Sequence, residues 1–313
     1  MTKIALIGFG GIGMEAAKII VQDPTLTCDL ICYDRREAVE AVPGPIAGLY
    51  EELIDAVGIL NYGHTVRLTS DIEDVRDADV IIFTAGLPRK QGQSRADLIG
   101  VNTQIVGKLA ESIGRVAPGA FLIMVTNPLD AMVELAYRKS GLPVNRVVGQ
   151  AGVLDTGRLV IEAANAAGTT PSQVQAVVLG GHGPQMVPLY SHTQVRGRPL
   201  SEFVSEGDIE AISARVADRG ATIIKKQGRS ATFSTAIAAV KMARSYLLDL
   251  RILLPAAARL SGEYGIRDLF VGVMTEISRK GVQVVEIPLT EGERLLFNQS
   301  VEETRSIVSE LKL

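Results

Sequence analysis

The chain has 313 residues, 47% of them hydrophobic and 21% charged, which is enough apolar sequence for two domain cores and too much for a disordered chain. Lys and Arg (32) against Asp and Glu (35) leave a net charge of -3, which excludes a global basic field for nucleic acid or an anionic membrane, so an anionic ligand has to be captured locally. Glycine is in excess at 31 residues, with no Trp and seven each of Tyr and Phe, and it points to sites built from backbone and tight turns.

Residues 3–8 (KIALIG) read as a short buried strand, and GFGGIGMEAAKIIVQ after them as a glycine turn opening a helix. Further strands are predicted at 28–33, 66–68, 79–84 and 120–126, short apolar runs separated by helical patterns, as in a parallel sheet covered on both faces. The stretch 41–60 resists assignment, and a long helix is expected to begin near Arg95 and to be bent or interrupted by its internal glycines. From Asn145 the pattern changes to α+β: a brief strand at 147–149, a helix at 154–167, antiparallel-capable strands at 174–179 and 186–195, and helices at 208–218 and 234–258, the second broken at Pro255. Strands at 270–275 and 282–287 and a terminal helix from Thr290 complete it, giving domains over 1–145 and 146–313.

Cys28 and Cys32 are too few for a disulfide framework or a full metal site and read as buried small side chains; His64, His182 and His192 show no HExxH spacing, so no metal is expected. The opening MTKIALIGFG carries no leader pattern and no apolar run spans a bilayer, so the expectation is a soluble, cytoplasmic chain with no membrane or nucleic-acid partner.

Gly8, Gly10 and Gly13 form GxGxxG directly after the first strand and at the start of a helix, with Asp34 closing the next strand. That setting suits a dinucleotide: the glycines permit a tight turn, close approach to a pyrophosphate and close helix–strand packing, while Asp34 accepts from a ribose diol. Asp34 repels a 2′-phosphate and favours NAD, although Arg35 and Arg36 follow it. AGLPRKQGQSRADL reads as an active-site loop in which Arg89 and Arg95 either clamp an anionic organic acid or are ordinary surface charges. Asn127 in VTNP ends another strand, where its amide either bridges substrate and cofactor or has a structural role. Asp155 and Arg158 in LDTGR share one helix side, serving one cavity or forming a surface pair. His182 in GGHGP is flanked by glycines that expose an imidazole at a strand end, as for catalysis, whereas His64 and His192 lack such a setting.

These motifs, GFGGIG, AGLPRKQGQSR, VTNP, LDTGR, GGHGP and then SGEYGIRDLFVGV, stand in the order and approximate spacing of a known family. The sequence resembles the malate and lactate dehydrogenases over nearly its whole length, particularly the lactate-dehydrogenase-like malate dehydrogenases of bacteria and archaea. The resemblance implies an N-terminal Rossmann dinucleotide-binding domain with a parallel sheet and an α+β catalytic domain. It also implies His182 as proton donor and acceptor, Asp155 as its orienting carboxylate, Arg158 on the substrate carboxylate and Arg95 on the reacting oxygen. Asn127 falls on substrate and nicotinamide, and Asn102 on the cofactor side. Arg89 stands where the family's malate dehydrogenases carry Arg and its lactate dehydrogenases Gln, which implies malate and oxaloacetate as substrates, NAD as cofactor and a homodimer or homotetramer.

The chain departs from the family pattern in GGHGP, in AVPGPIAGLYEEL after Asp34, and in GVMTEIS near its end. Two other readings therefore stand beside the first: a related 2-hydroxy-acid dehydrogenase acting on pyruvate or a branched 2-keto acid, and a catalytically silent NAD-binding sensor.

Overall fold

The computed structural model describes residues 1–88 and 95–311, and for 95–97 the backbone alone. In chain order the elements are β1 (Thr2–Ile7), α1 (Gly11–Val21), β2 (Cys28–Tyr33), α2 (Arg36–Val39), α3 (Pro45–Leu60), β3 (Thr65–Thr69), β4 (Val80–Phe83), α4 (Arg95–Val116), β5 (Phe121–Met124), α5 (Leu129–Ser140), β6 (Val147–Gly149) and α6 (Gly152–Ala166). There follow five two-residue strands, β7 (Val174–Gln175), β8 (Val178–Leu179), β9 (Val187–Pro188), β10 (Gln194–Val195) and β11 (Arg198–Pro199). Then come α7 (Glu206–Gln227), α8 (Phe233–Leu247), β12 (Ile252–Ser261), β13 (Arg267–Ser278), β14 (Gly281–Val284) and α9 (Glu291–Ser309).

The main sheet has nine strands in the order β14-β13-β12-β6-β5-β4-β1-β2-β3. Its parallel part, 3-2-1-4-5-6, is the doubly wound Rossmann order, with the crossover reversing between β1 and β4. β4 (VIIF) and β5 (FLIM) are buried at every residue because helices cover both faces. Alternate residues divide between two cores: Ala5, Ile7, Ile81 and Phe83 pack on one side against α4 and α5, and Ile4, Leu6, Val80 and Ile82 on the other against α1 and α8. The second half therefore does more than follow the first: β12 joins the parallel sheet antiparallel to β6 at Ala257↔Gly149, and β13 and β14 extend it.

Several predicted elements differ from what forms: the strands expected over 174–179 and 186–195 split into β7 and β8, and into β9 and β10, which belong to two separate small sheets. The helix expected over 234–258 stops at Leu247, and Pro255 lies in β12 opposite Met274. The helix-favouring run LLPAAARL is held extended because both faces of β12 are covered, and tertiary burial overrides propensity there. α4 runs uninterrupted through its glycines; Gly114 is required by packing, since a Cβ there would lie 1.9 Å from the Ser140 carbonyl oxygen. α7 extends well past 218, started by a Ser205–Asp208 capping box and ended by Gly228 at φ 72°. The unassigned stretch contains α3, with Pro at its N-terminus and Asn61 left-handed at its end. Among the described residues no helix is long and apolar enough to cross a membrane.

Candidate active site

The glycine-rich turn leaves β1 at the sheet's crossover point and is built for close approach. Gly8 has φ +95°, and a Cβ on it would lie 2.5 Å from the Ala85 amide nitrogen that follows β4. A Cβ on Gly13 would lie 2.3 Å from the Gly8 carbonyl oxygen, which also accepts from Thr84 Oγ1 at 2.7 Å. Gly10 has no protein atom within 4 Å of its Cβ position, so the open side of the turn is backbone alone. α1 starts there with no side-chain cap and no acidic residue in its first turn, leaving its amide groups and dipole to an anion.

Asp34, just past β2, accepts from Phe9 N at 2.7 Å and Arg35 N at 2.8 Å, which fixes its carboxylate beside the turn with lone pairs to spare for a diol. Arg36 pairs with Glu40 at 2.7 Å on the surface. These features fit a dinucleotide without a 2′-phosphate. Thr232, which the motif reading did not single out, packs against the same turn: its Cγ2 is 2.9 Å from the Cβ position of Gly11, joining the start of α8 to the cofactor side.

The second cluster forms where β6 gives way to α6, at the same carboxyl edge of the sheet. Asp155, in the first turns of α6, is 2% exposed. Its Oδ2 is 2.8 Å from His182 Nδ1, and its Oδ1 accepts from Arg158 Nη1 at 2.9 Å. Asp155 and Arg158 are thus a largely buried pair and do not form a surface one. A carboxylate partner assigns the proton to Nδ1 and leaves Nε2 as the acceptor. Arg158 is otherwise bordered by Gly220 of α7, whose Cβ position lies 3.9 Å from Nη2.

The loop carrying His182 is fastened from three sides. His182 N donates to Asp130 Oδ2 at 3.0 Å, Gly181 N to Ser300 Oγ at 2.8 Å and Gly180 N to the Gly272 carbonyl at 2.8 Å. Burial works against a charged imidazole, yet Asp155, by charge and hydrogen bond, and then the charge of Asp130 prevail over it and over Arg158, so His182 titrates above its ordinary value.

Asn127 stands exposed past the end of β5. Its carbonyl accepts from Asn102 Nδ2 at 2.7 Å. Asn102 is fully buried and also accepts from Leu87 N and donates to Leu87 O, so the structure places it behind the surface, tying the segment after β4 to the segment after β5. Arg89 lies outside the described residues, and Arg95 opens α4 with its side chain likewise outside them. His64 is buried with Nδ1 3.4 Å from Cys28 Sγ, and His192 Nε2 is 2.7 Å from the Pro288 carbonyl oxygen, so both are structural. Asp130 and Ser300 carried no local signal: the first looks like an acidic residue in the first turn of a helix and the second like a polar position on a terminal helix.

The family model for the lactate/malate dehydrogenase NAD binding domain matches residues 2–149, and that for the lactate/malate dehydrogenase alpha/beta C-terminal domain matches 152–312. The chain belongs to the lactate/malate dehydrogenase family. Among relatives of this dehydrogenase, malate dehydrogenase 1 of Anaeromyxobacter dehalogenans is 43% identical over 313 residues, covering 99% of this chain and 98% of that protein. The crystal structure of malate dehydrogenase from Plasmodium falciparum superposes with a TM-score of 0.93 at 40% identity, covering 99% of this chain and 98% of that one. A lactate dehydrogenase from Cryptosporidium parvum, solved with lactic acid and nicotinamide adenine dinucleotide, superposes at 0.91 with 35% identity, covering 98% and 97%. The fold is therefore common to malate and lactate dehydrogenases.

Proposed function

We propose that the chain is an NAD-dependent malate dehydrogenase that interconverts (S)-malate and oxaloacetate. The observation that carries this reading is the Arg158–Asp155–His182 chain of contacts on the same sheet edge as the uncapped glycine turn. Bound NAD supplies the acceptor for the hydride leaving C2. The glycine turn and the start of α1 would hold its pyrophosphate, and Asp34 would hold the adenosine ribose.

Neutral His182 takes the hydroxyl proton of malate at Nε2 as C2 loses its hydride, and protonated His182 returns that proton when oxaloacetate is reduced. Asp155 orients the ring through Nδ1 and stabilises the imidazolium. Arg158 spends Nη1 on Asp155 and offers its remaining donors to the C1 carboxylate, a charge-assisted contact that fixes the substrate. Arg95 steadies negative charge on the reacting oxygen and Arg89 pairs with the distal carboxylate, where pyruvate would leave a cation without its anion. Asn127 bridges substrate and nicotinamide side. Exposed apolar residues on α3 (Ile54, Ile59) and α8 (Phe233, Ile237) suit burial between copies in a homodimer or homotetramer.

A lactate dehydrogenase is the alternative that the shared fold supports, and a rate matrix separates the two. kcat/KM for oxaloacetate, pyruvate and 2-ketoisocaproate, each with NADH and NADPH, should be highest for oxaloacetate with NADH. Equal use of pyruvate contradicts the role given to Arg89, preference for NADPH contradicts that given to Asp34, and no turnover of any keto acid supports a silent cofactor-binding protein.

A further inference from the structure

The face of α6 that supplies Asp155 and Arg158 also carries a second acid, Glu162. The three residues are spaced by three and four positions, so they stand in line along the helix. Helix side chains lean toward the N-terminus: Arg158 reaches back to Asp155, where its Nη1 bonds at 2.9 Å, and Glu162 is directed back over the turn that starts at Arg158. Glu162 is 6% exposed, and a carboxylate so buried is costly without a cation. Arg158 is the cation one turn behind it, yet two arginines of α7 reach it instead. Arg215 Nε bonds Oε2 at 2.6 Å and Arg219 Nη1 bonds Oε1 at 3.1 Å, so each oxygen has its own guanidinium. The residue after Arg219 is Gly220, whose Cβ position lies 3.9 Å from Arg158 Nη2, which places this pairing next to the guanidinium it spares.

We propose that Arg215 and Arg219 are positioning residues for the substrate carboxylate: by saturating Glu162 they keep it off Arg158, whose donors beyond Nη1 then remain for an anion. The inference rests on the reading of Arg158 as the carboxylate clamp. The sign of the local charge leads to the same place. On its own this face of α6 sets two carboxylates against one guanidinium and repels an anion; the two cations of α7 reverse that sign where the C1 carboxylate docks. Both arginines act through Glu162, and both are themselves about half exposed on their outer side, over a carboxylate that is not.

The test is steady-state reduction of oxaloacetate by NADH. Arg215→Met with Arg219→Met keeps long side chains over Glu162 and removes both charges, so that Glu162 turns to Arg158. KM for oxaloacetate then rises by about 10-fold or more, while kcat at saturating oxaloacetate and the NADH Kd stay within about twofold of wild type. Adding Glu162→Gln removes the competitor, and KM returns to within about threefold of wild type although α7 is no longer tied to α6 by charge. A wild-type KM in the double variant overturns the proposal. So does a KM that stays raised in the triple variant, since the arginines would then matter only as a tether. If the double variant does not fold, Arg219→Met with and without Glu162→Gln carries the same comparison: KM rises by about threefold and the second change reverses it, and an unmoved KM or an unreversed rise contradicts it. Arg158→Lys, assayed alongside, keeps the two readings apart. A wild-type KM there refutes Arg158 as the clamp, whereas a raised KM there with an unmoved KM in the double variant refutes only the role of Arg215 and Arg219.

Discussion

The two glycine-rich loops of this molecule use the same residue to opposite ends. In the turn after β1, Gly8 and Gly13 let backbone pack on backbone, and the outer side at Gly10 is left open, so the proposed cofactor would meet main-chain amides there. In the loop around His182, the missing side chains are replaced by the protein's own supports: Asp130, Ser300 and Gly272 reach the main chain and hold one imidazole in place. On the proposed function, glycine makes room for a cofactor in the first case, and it makes room for scaffolding in the second. Damage to the first should therefore appear in cofactor affinity and damage to the second in turnover.

The sharpest test of that division short of removing His182 is Asp155→Asn. It leaves the cofactor turn untouched and should lower kcat by about two orders of magnitude or more, since the imidazolium loses its counter-charge. Because Asp155 raises the His182 pKa, oxaloacetate reduction should also fail at lower pH than in the wild type, as a pH–rate profile would record. Gly272→Ala comes next: its Cβ would lie 2.2 Å from the Gly180 carbonyl oxygen, a backbone atom that cannot swing away. Displacing the loop by a fraction of an ångström should reduce kcat by roughly 10-fold to 100-fold with NADH affinity preserved, as fluorescence titration would show. Gly13→Ala is the counterpart on the other side, with a Cβ 2.3 Å from Gly8 O. It should weaken NADH binding by about 10-fold and cost about 1–3 kcal/mol of stability in a denaturant titration, from overpacking. If Gly13→Ala lowered kcat at saturating NADH while Gly272→Ala weakened NADH binding, the two loops would not divide the work as described.

Legibility followed sequence distance. The cofactor turn could be read because GxGxxG, its strand and its helix are contiguous, and Asp34 lies at the end of the next strand. His182, Asp155 and Arg158 were each recognisable from their surroundings, but their contact depends on a loop and a helix that meet across 27 residues. The supports were not readable: Ser300 lies 119 residues from the amide it accepts, and nothing in LDAMVELAY distinguishes Asp130 from an ordinary helix-start acid. Asn102 was expected on the cofactor side, and only the fold shows that its amide is committed to Leu87 and Asn127. The parallel strands were plain from apolar runs. β12 was misread because an Ala- and Leu-rich segment takes the state its neighbours impose, and here that is a strand between β6 and β13.

The most direct measurement is made on His182→Asn, with NADH affinity and oxaloacetate turnover determined on one preparation. The account predicts an NADH Kd within about twofold of wild type and kcat reduced by about 10³-fold, the scale of a lost general acid–base group. Turnover near the wild-type rate, or parallel loss of binding and turnover, would contradict it.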